Sequence, residues 1–461
     1  MANTLDAGNH RRPQTDPKGY HSVRIGVIGS GHVGLTTAAT LASLGHEAVA
    51  FDQDNEKIAQ LRKGQPHFYE PGLEELMNEN MAAGRLSFSD EPGPAIENAE
   101  VVFICVGTPP RSTGEASMVA VEQAALAIAH HATGRIVVAE KSTVPAGTSE
   151  RVTRIIEHLR PDLLDKYEVI SNPEFLREGQ AVADSLHPDR ILVGAHTDWA
   201  LETMRRLYQP LTDDGVPFIS TDIATAELSK HACNAFLALK ISYANALARM
   251  CEKAGADIRA VTEVMGRDAR IGSHFLKPGL GYGGFCFPKD LAAFHTMASQ
   301  LGYEFPLLKE VSRINEEAVE STLDKIRESV WNLEHKRIAL LGLSFKPDTD
   351  DTRFSPALRL AKRLLQEGAH VAAYDPRSMA NAKSEVPELE VVPDAYDAVS
   401  HAHCLVLCTE WEEFGQLDLG KVRELMAYPV LIDARNFFDP QAVQDAGFLY
   451  YPTGRPPIKR I

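Results

Sequence analysis

A strand that ends in glycine, turns on two more glycines and opens at once into a helix leaves a chain very few folds. Here Arg24-Ile-Gly-Val-Ile-Gly29 runs into Ser-Gly31-His32-Val33-Gly34. An Ala/Leu/Thr-rich helix follows to Gly45, and a second strand from Glu47 to Phe51 ends at Asp52. Strand, helix and strand at these lengths form one βαβ unit. The glycine spacing alone is a weak signal, but between a strand and a helix, with an acid closing the next strand, it is a strong one. The glycines permit a tight turn and let backbone N–H groups and the helix dipole meet a pyrophosphate. Asp52 would bond ribose hydroxyls and repel a 2′-phosphate, which favours NAD over NADP. The competing reading is a strand–helix turn that binds nothing.

The rest of the chain extends this pattern. Buried-strand runs at Val101 to Val106, Ile136 to Ala139, Val169 to Ser171 and Ile191 to Val193 alternate with helical patterns, which predicts a parallel sheet covered on both faces. From Asp222 the texture changes to a long helical stretch, Ala224 to about Lys253, and helical patterns continue past a glycine-rich loop to about Trp331. A second strand–helix–strand then begins at Arg337 and finishes His370 to Tyr374 with Asp375, echoing the first. It carries Gly342-Leu-Ser-Phe-Lys-Pro in place of the fingerprint, so it is expected to hold something other than a dinucleotide, or only part of one. The predicted fold is α/β, with two doubly wound Rossmann-like domains joined by a central helical domain containing one long helix. The boundaries are a polar tail over 1–22, a dinucleotide domain over 23–221, a central domain over 222–331 and a second lobe over 332–461.

Composition narrows the function. Lys and Arg number 47 against 63 Asp and Glu, a formal charge of −16, so the overall field repels polyanions and no nucleic-acid partner is expected. An anionic small ligand would need local cations. No apolar run reaches the ~18 residues of a spanning helix, and Met1 to Ser22 lacks the apolar stretch of a secretory signal, so no membrane association is expected. Six cysteines without a CxxC pair suit a reducing cytoplasm.

The cysteines differ in setting. Cys105, Cys233 and Cys251 read as small buried hydrophobes. Cys404 and Cys408, beside His401 and His403, invite a metal reading, but on a strand they stand about 13 Å apart at ~3.3 Å per residue, and no metal is expected. Cys286 lies in Gly281-Tyr-Gly-Gly-Phe-Cys-Phe-Pro-Lys-Asp, before a helix whose first turn is predicted to begin at Pro288. A helix N-terminus and Lys289 favour thiolate, as a nucleophile requires, although a lone cysteine among glycines is by itself more often structural. Lys230 and Asn234 are one helical turn apart and could point at one developing oxyanion, or could form a solvated face. Asp290, one turn after Cys286, could orient water or simply complement the helix dipole. Two polar loops follow strands, Glu140-Lys-Ser-Thr143 and Ser171-Asn-Pro-Glu174-Phe-Leu-Arg-Glu178, and Glu174 is a candidate proton acceptor.

Taken in order, these segments resemble the UDP-glucose/GDP-mannose dehydrogenase family from about Arg24 to beyond Asp433. The specific pieces are the fingerprint with Asp52, Tyr69-Glu-Pro-Gly-Leu, Glu140-Lys-Ser-Thr-Val-Pro, Ser171-Asn-Pro-Glu-Phe-Leu-Arg-Glu-Gly, Glu227-Leu-Ser-Lys-His-Ala-Cys-Asn, Gly283-Gly-Phe-Cys-Phe-Pro-Lys-Asp and Phe345-Lys-Pro-Asp-Thr-Asp-Asp-Thr-Arg. The resemblance implies an NAD-dependent, four-electron oxidation of a nucleotide-sugar C6 alcohol to the uronic acid. UDP-glucose to UDP-glucuronate is favoured over dTDP-glucose, GDP-mannose or a UDP-N-acetylhexosamine. Cys286 would attack the C6 aldehyde to give a thiohemiacetal and then a thioester, which water cleaves. Lys230 and Asn234 would hold the oxyanion, Asp290 would assist Lys230 and water, and Glu174 and Thr143 match positions for proton transfer and water placement.

The resemblance also implies binding residues. For the sugar nucleotide these are Phe175, Leu176, Arg177, Arg270, Lys277, Leu280, Gly281, Tyr282, Gly283, Gly284, Phe345 and Lys346. For the cofactor they are Gly29, Gly31, His32, Val33, Gly34, Asp52, Lys57, Val106, Gly107, Thr108, Pro109, Ser142, Thr143, Glu178, Lys289 and Arg353. A homodimer through the central helix is implied, with the residue matching Arg270 reaching the neighbouring subunit's site. One departure is Phe285, where many relatives have Ser; the polar start of the chain is another. Two other readings remain. A two-electron hydroxyacid-type dehydrogenase would yield one NADH per substrate rather than two, and a nucleotide sensor would turn over no sugar nucleotide.

Overall fold

A computed structural model describes residues 19–111 and 115–459. Most of the polar start read from the sequence therefore lies outside the described residues. The chain divides into two compact units, one extending to Thr108 and resuming over Ser117–Leu228, the other from Ser229 onward together with the short segment Pro109–Ala116.

The first unit is built on eight strands: β1 (Arg24–Ile28), β2 (Glu47–Phe51), β3 (Leu86–Ser89), β4 (Val101–Ile104), β5 (Ile136–Glu140), β6 (Tyr167–Ser171), β7 (Ile191–Gly194) and β8 (Phe218–Thr221). Their order is β3-β2-β1-β4-β5-β6-β7-β8. Strands β4, β5 and β6 are buried at every position, as expected where helices cover both faces. One apolar cluster lies on each side, the larger around Leu35, Ile58, Met77 and Phe103, the other around Ile28, Ile104, Ile128 and Val138.

The sheet is not wholly parallel, which corrects the expectation. β7 runs antiparallel to β6, meeting it at Ser171↔Gly194. A parallel return needs a crossover that carries the chain back to the starting edge. The segment after β6 is instead spent on an irregular loop and one six-residue helix, Ala181–Leu186. β8, unmarked in the sequence reading, pairs parallel with β7.

The order reverses between β1 and β4, so the loops after these two strands part to opposite faces and open a crevice, the usual ligand position in doubly wound sheets. The fingerprint turn follows β1.

The second unit carries β9 (Arg337–Leu341), β10 (His370–Tyr374), β11 (Glu390–Val391), β12 (Cys404–Leu407), β13 (Val430–Asp433) and β14 (Leu449–Pro452), all parallel, in the order β11-β10-β9-β12-β13-β14. With it pack the helices Cys286–Gln300 and Pro306–Val330 and most of a 32-residue helix, Ile223–Ala254. This long helix has neither glycine nor proline within it, and it stops at Gly255, whose φ of 72° ends the helical path.

Candidate active site

The fingerprint glycines fit three different demands. Gly29 has φ 95°, and a Cβ there would lie 2.5 Å from the Cys105 carbonyl oxygen. A Cβ on Gly34 would lie 1.8 Å from the Gly29 carbonyl oxygen, so only glycine lets the helix pack on the turn. At Gly31, the N-cap of helix His32–Ser43, a Cβ would meet nothing within 4 Å. That is the open cradle a pyrophosphate would enter, at a helix N-terminus with no acidic residue in its first turn.

Asp52 closes the cradle. Its carboxylate accepts the Ser30 N–H at 2.9 Å, the Asp54 N–H at 3.1 Å and the Lys57 ammonium at 3.0 Å. Burial alone would raise this carboxyl, but the Ser30 N–H and the Lys57 ammonium outweigh it and hold the group below its usual range. These residues fit a dinucleotide: a glycine turn open to an anion and an ionised acid at the tip of β2. Val33 is half-buried beside the turn, and Val106 is half-buried after β4, followed by the exposed Gly107 and Pro109.

The loops after β4 and β5 are tied together. Thr108 Oγ1 donates to the Thr143 carbonyl at 3.0 Å, and Ser142 Oγ donates to the Ile104 carbonyl at 3.1 Å. Two positions picked separately from the sequence are thus neighbours. The loop after β6 is held by carboxylates. Glu174, buried, accepts the Leu176 N–H at 2.8 Å, and the Arg177 guanidinium lies on Asp184 at 2.6 Å. The Phe175 ring carries Arg190, whose Cζ is 3.8 Å from its centroid, and Glu178 is buried.

Several supporting residues escaped the sequence reading. Glu70, in the Tyr69-Glu-Pro-Gly-Leu motif, accepts the Gly179 and Ala181 N–H groups, each at 2.7 Å, and so anchors the far end of the Glu174–Glu178 loop. Its neighbour Phe68 stacks on His32 with centroids 3.7 Å apart. Asn172 accepts Tyr208 Oη at 2.7 Å and Lys141 Nζ at 3.3 Å, and donates to the Leu192 carbonyl at 2.8 Å. An acid before a Pro-Gly turn was the available clue for Glu70; nothing marked Asn172 beyond its place in the motif.

In the second unit, Cys286 is the first residue of its helix, two positions earlier than expected, and Phe285 is the N-cap. The first four N–H groups of a helix have no intrahelical partner, so Pro288 is tolerated at the third position as well as at the first. The thiol therefore sits within the first turn. Asn234 Nδ2 donates to Asp290 Oδ2 at 2.6 Å, and Lys289 Nζ lies 2.8 Å from Asp290 Oδ1. Lys230, Asn234, Lys289 and Asp290 are all buried, and Cys286 is half-buried. The Asn234–Asp290 contact joins the helix face bearing Lys230 to the helix that begins with Cys286.

The glycine loop before Cys286 needs its glycines. Gly281 has φ 110°, and its neighbour Tyr282 exchanges two hydrogen bonds with the buried Asn315, N–H to Oδ1 at 2.7 Å and Nδ2 to C=O at 3.0 Å. A Cβ on Gly283 would lie 2.6 Å from the Phe354 carbonyl oxygen, and one on Gly284 2.8 Å from the Phe345 ring. Leu280 is fully buried, and Lys346 lies over the Phe345 ring at 5.8 Å. Arg353 is paired with Asp351 through both Nε and Nη2. Arg270 and Lys277 are not gathered into this cluster: Arg270 pairs with Asp268 and its side chain is 89% exposed, and Lys277 is exposed.

Cys404 and Cys408 are fully buried, and burial pushes the Cys408 thiol up to about 12. Among the described residues no His, Cys, Asp and Glu side chains group as a metal site.

Comparison with known proteins gives the family. Residues 23–212 match the NAD binding domain of the UDP-glucose/GDP-mannose dehydrogenase family, residues 224–317 its central domain and residues 339–440 its UDP binding domain. The chain is 42% identical over 435 residues to UDP-glucose 6-dehydrogenase YwqF of Bacillus subtilis (strain 168), covering 94% of this chain and 98% of that one. It is 42% identical over 438 residues to UDP-glucose 6-dehydrogenase of Rhizobium meliloti (strain 1021), covering 94% and 100%. Among solved structures, a UDP-glucose dehydrogenase from Pyrobaculum islandicum superposes with a TM-score of 0.86 at 36% identity, over 95% of this chain and 99% of that one. A UDP-D-ManNAc dehydrogenase from Pyrococcus horikoshii gives 0.82 at 27% identity, over 94% and 99%. With three consecutive family domains matched in order, the chain belongs to the UDP-glucose/GDP-mannose dehydrogenase family.

Proposed function

We propose that this protein oxidises the C6 alcohol of a nucleotide sugar to the carboxylate with NAD, and that the sugar nucleotide is UDP-glucose, the product UDP-glucuronate. The observation that carries the chemistry is the buried Asn234–Asp290 contact, which sets the Lys230/Asn234 helix face against the helix opened by Cys286. The substrate rests on the relatives, since UDP-glucose dehydrogenases match at up to 42% identity and the N-acetylmannosamine enzyme at 27%.

NAD, when bound, accepts a hydride and supplies the oxidising power of both steps. The Gly29–Gly34 turn and Asp52 hold it, with Lys57, the Val106–Pro109 segment, Ser142, Glu178, Lys289 and Arg353 on the cofactor side. Glu174 and Thr143 manage the proton of the C6 hydroxyl and the placement of water. Once C6 is an aldehyde, Cys286 Sγ adds to it, and Lys230 and Asn234 stabilise the oxygen as the carbon becomes tetrahedral. Oxidation of this thiohemiacetal gives a thioester, and water assisted by Asp290 cleaves it to the acid and restores the thiol. The sulfur keeps the aldehyde tethered between the two oxidations. Phe175 to Arg177, the Leu280–Gly284 loop, Phe345, Lys346, Lys277 and Arg270 bind the sugar nucleotide.

We assign these roles to a dinucleotide domain over 23–221, a central domain over 222–331 and a sugar-nucleotide domain over 332–461. The protein is a homodimer through the long helix, whose Phe236, Tyr243 and Met250 recur every seven residues and are 61%, 50% and 65% exposed. Arg270, exposed on its own subunit, then serves the neighbouring site. A reducing cytoplasm suits six cysteines that form no disulfide. No described helix is long and apolar enough to cross a membrane.

The test is stoichiometry with mass spectrometry. Two NADH per UDP-glucose and a sugar adduct on Cys286 in protein quenched during turnover are expected. One NADH per substrate, or no turnover with any sugar nucleotide, would refute the proposal. Cys286→Ala is expected to abolish acid formation and retain NAD binding.

A further inference from the structure

Phe285 has no part in the mechanism above, yet its ring is an unusually charged meeting point. The Arg353 guanidinium lies with Cζ 4.5 Å from the ring centroid, and the Lys289 ammonium lies 5.5 Å from it. Arg353 is fixed on a second side by Asp351, through Nε at 2.9 Å and Nη2 at 2.7 Å. Its backbone is fixed too, because the Gly284 N–H donates to the Arg353 carbonyl at 2.9 Å. The segment bearing Arg353 and the loop bearing Phe285 and Cys286 are therefore one local body. The Arg353 side chain still keeps 46% of its exposure, so it is held in place without being closed off from solvent.

We infer that Phe285 is a positioning residue for the dinucleotide, its ring fixing the Arg353 guanidinium in the orientation that receives the anionic cofactor. This rests on the assignment of Arg353 to the cofactor side. The physical reason is that the aromatic ring gives the guanidinium a second contact, independent of its two-point pairing with Asp351, so the side chain is held from two sides. The Lys289 ammonium lies 5.5 Å from the centroid of the same ring. Lys289 is in turn committed to Asp290 at 2.8 Å.

Isothermal titration of NAD into the full-length wild type, Phe285→Leu, Phe285→Tyr, Arg353→Ala and the Phe285→Leu/Arg353→Ala double variant tests this, with UDP-glucose titrated in parallel. Phe285→Leu is expected to weaken NAD about three- to tenfold while moving UDP-glucose affinity less than twofold. Phe285→Tyr, which keeps the ring, is expected to restore NAD affinity, and the double variant to bind NAD no worse than Arg353→Ala alone. If Arg353→Ala weakens NAD and Phe285→Leu does not, or if the two losses add in full, the role of the ring is refuted while the placement of Arg353 stands. Equal losses for NAD and UDP-glucose in Phe285→Leu would mark a general disturbance of the loop and also refute it. If Arg353→Ala leaves NAD binding unchanged, the cofactor-side assignment falls and the inference with it.

Discussion

Asn234 and Asp290, 56 residues apart in sequence, are joined by a buried hydrogen bond of 2.6 Å from Nδ2 to Oδ2. The other carboxylate oxygen lies 2.8 Å from the Lys289 ammonium, so one acid serves two buried groups on two helices. Asp290→Asn removes the charge that balances Lys289 and aims an amide at the Asn234 donor. Breaking a buried pair costs about 3 kcal/mol, and loss of a group that orients an oxyanion donor costs about 10²-fold in kcat. The variant is expected to show both a Tm lowered by several degrees and that loss of kcat in NADH assays. A lowered Tm with undiminished kcat would reduce Asp290 to a structural role.

Asp52 is ionised across the neutral range, because the Ser30 N–H and the Lys57 ammonium outweigh the effect of its burial. Asp52→Ala is expected to weaken NAD by about tenfold and to narrow the preference over NADP, as the 2′-phosphate no longer meets a negative charge. The ratio of kcat/KM for the two cofactors is the measurement, and an unchanged ratio would remove Asp52 from this role.

Glu140 ends the buried strand β5, and burial pushes its carboxyl well above the usual range, against the Ser142 N–H that favours the ionised form. The nearby Glu227 carboxylate pushes it the same way. With the folded value raised, folding retains a proton that the unfolded chain loses above about 4.5, so stability falls as pH rises from there through the folded value. Glu140→Gln keeps an acceptor for the Ser142 N–H, bonded at 3.1 Å in the native protein, and cannot ionise. It is expected to raise Tm more at pH 8 than at pH 5, measured by differential scanning calorimetry. An equal change at both pH values would contradict the assignment.

Glu70 holds the Gly179 and Ala181 N–H groups at 2.7 Å each, and with them the loop bearing Glu174 and Glu178. Glu70→Gln retains at most one of these bonds and loses its charge. About tenfold or more should be lost from kcat/KM for NAD, since each charge-assisted bond contributes about 1.5–3 kcal/mol. Steady-state kinetics with varied NAD, beside a melting curve, provides the check; wild-type kinetics would show that the loop keeps its shape without this anchor.

The two lobes separate what was legible from what was not. Asp52 and Asp375 both close the second strand of a βαβ unit, and the echo between them can be read directly from the chain. Their environments cannot. Asp375 is fully buried and accepts Leu343 N–H, Ser344 N–H, Ser344 Oγ, Arg377 N–H, Ser378 N–H and Trp411 Nε1. Trp411 arrives from beyond β12, and no spacing announces it. Asp375 therefore locks its turn, whereas Asp52 shares a smaller donor set with a lysine.

Local order was written in the chain. Strand runs, the glycine turn, the long breaker-free helix and the motif residues depend on φ/ψ preferences and hydrophobic period, which act between near neighbours. Tertiary packing alone decided the reversal of β7, the entry of Cys286 into the first helical turn, the anchoring of the Glu174 loop by Glu70 and the charge gathered on the Phe285 ring. The Glu70 anchor and the Phe285 ring depend on which donor or cation a group meets across tens or hundreds of residues, and the reversal of β7 on how the chain after β6 is spent. Burial makes an unpaired polar group costly, so the fold must supply partners from wherever the chain passes, and sequence spacing carries no record of that.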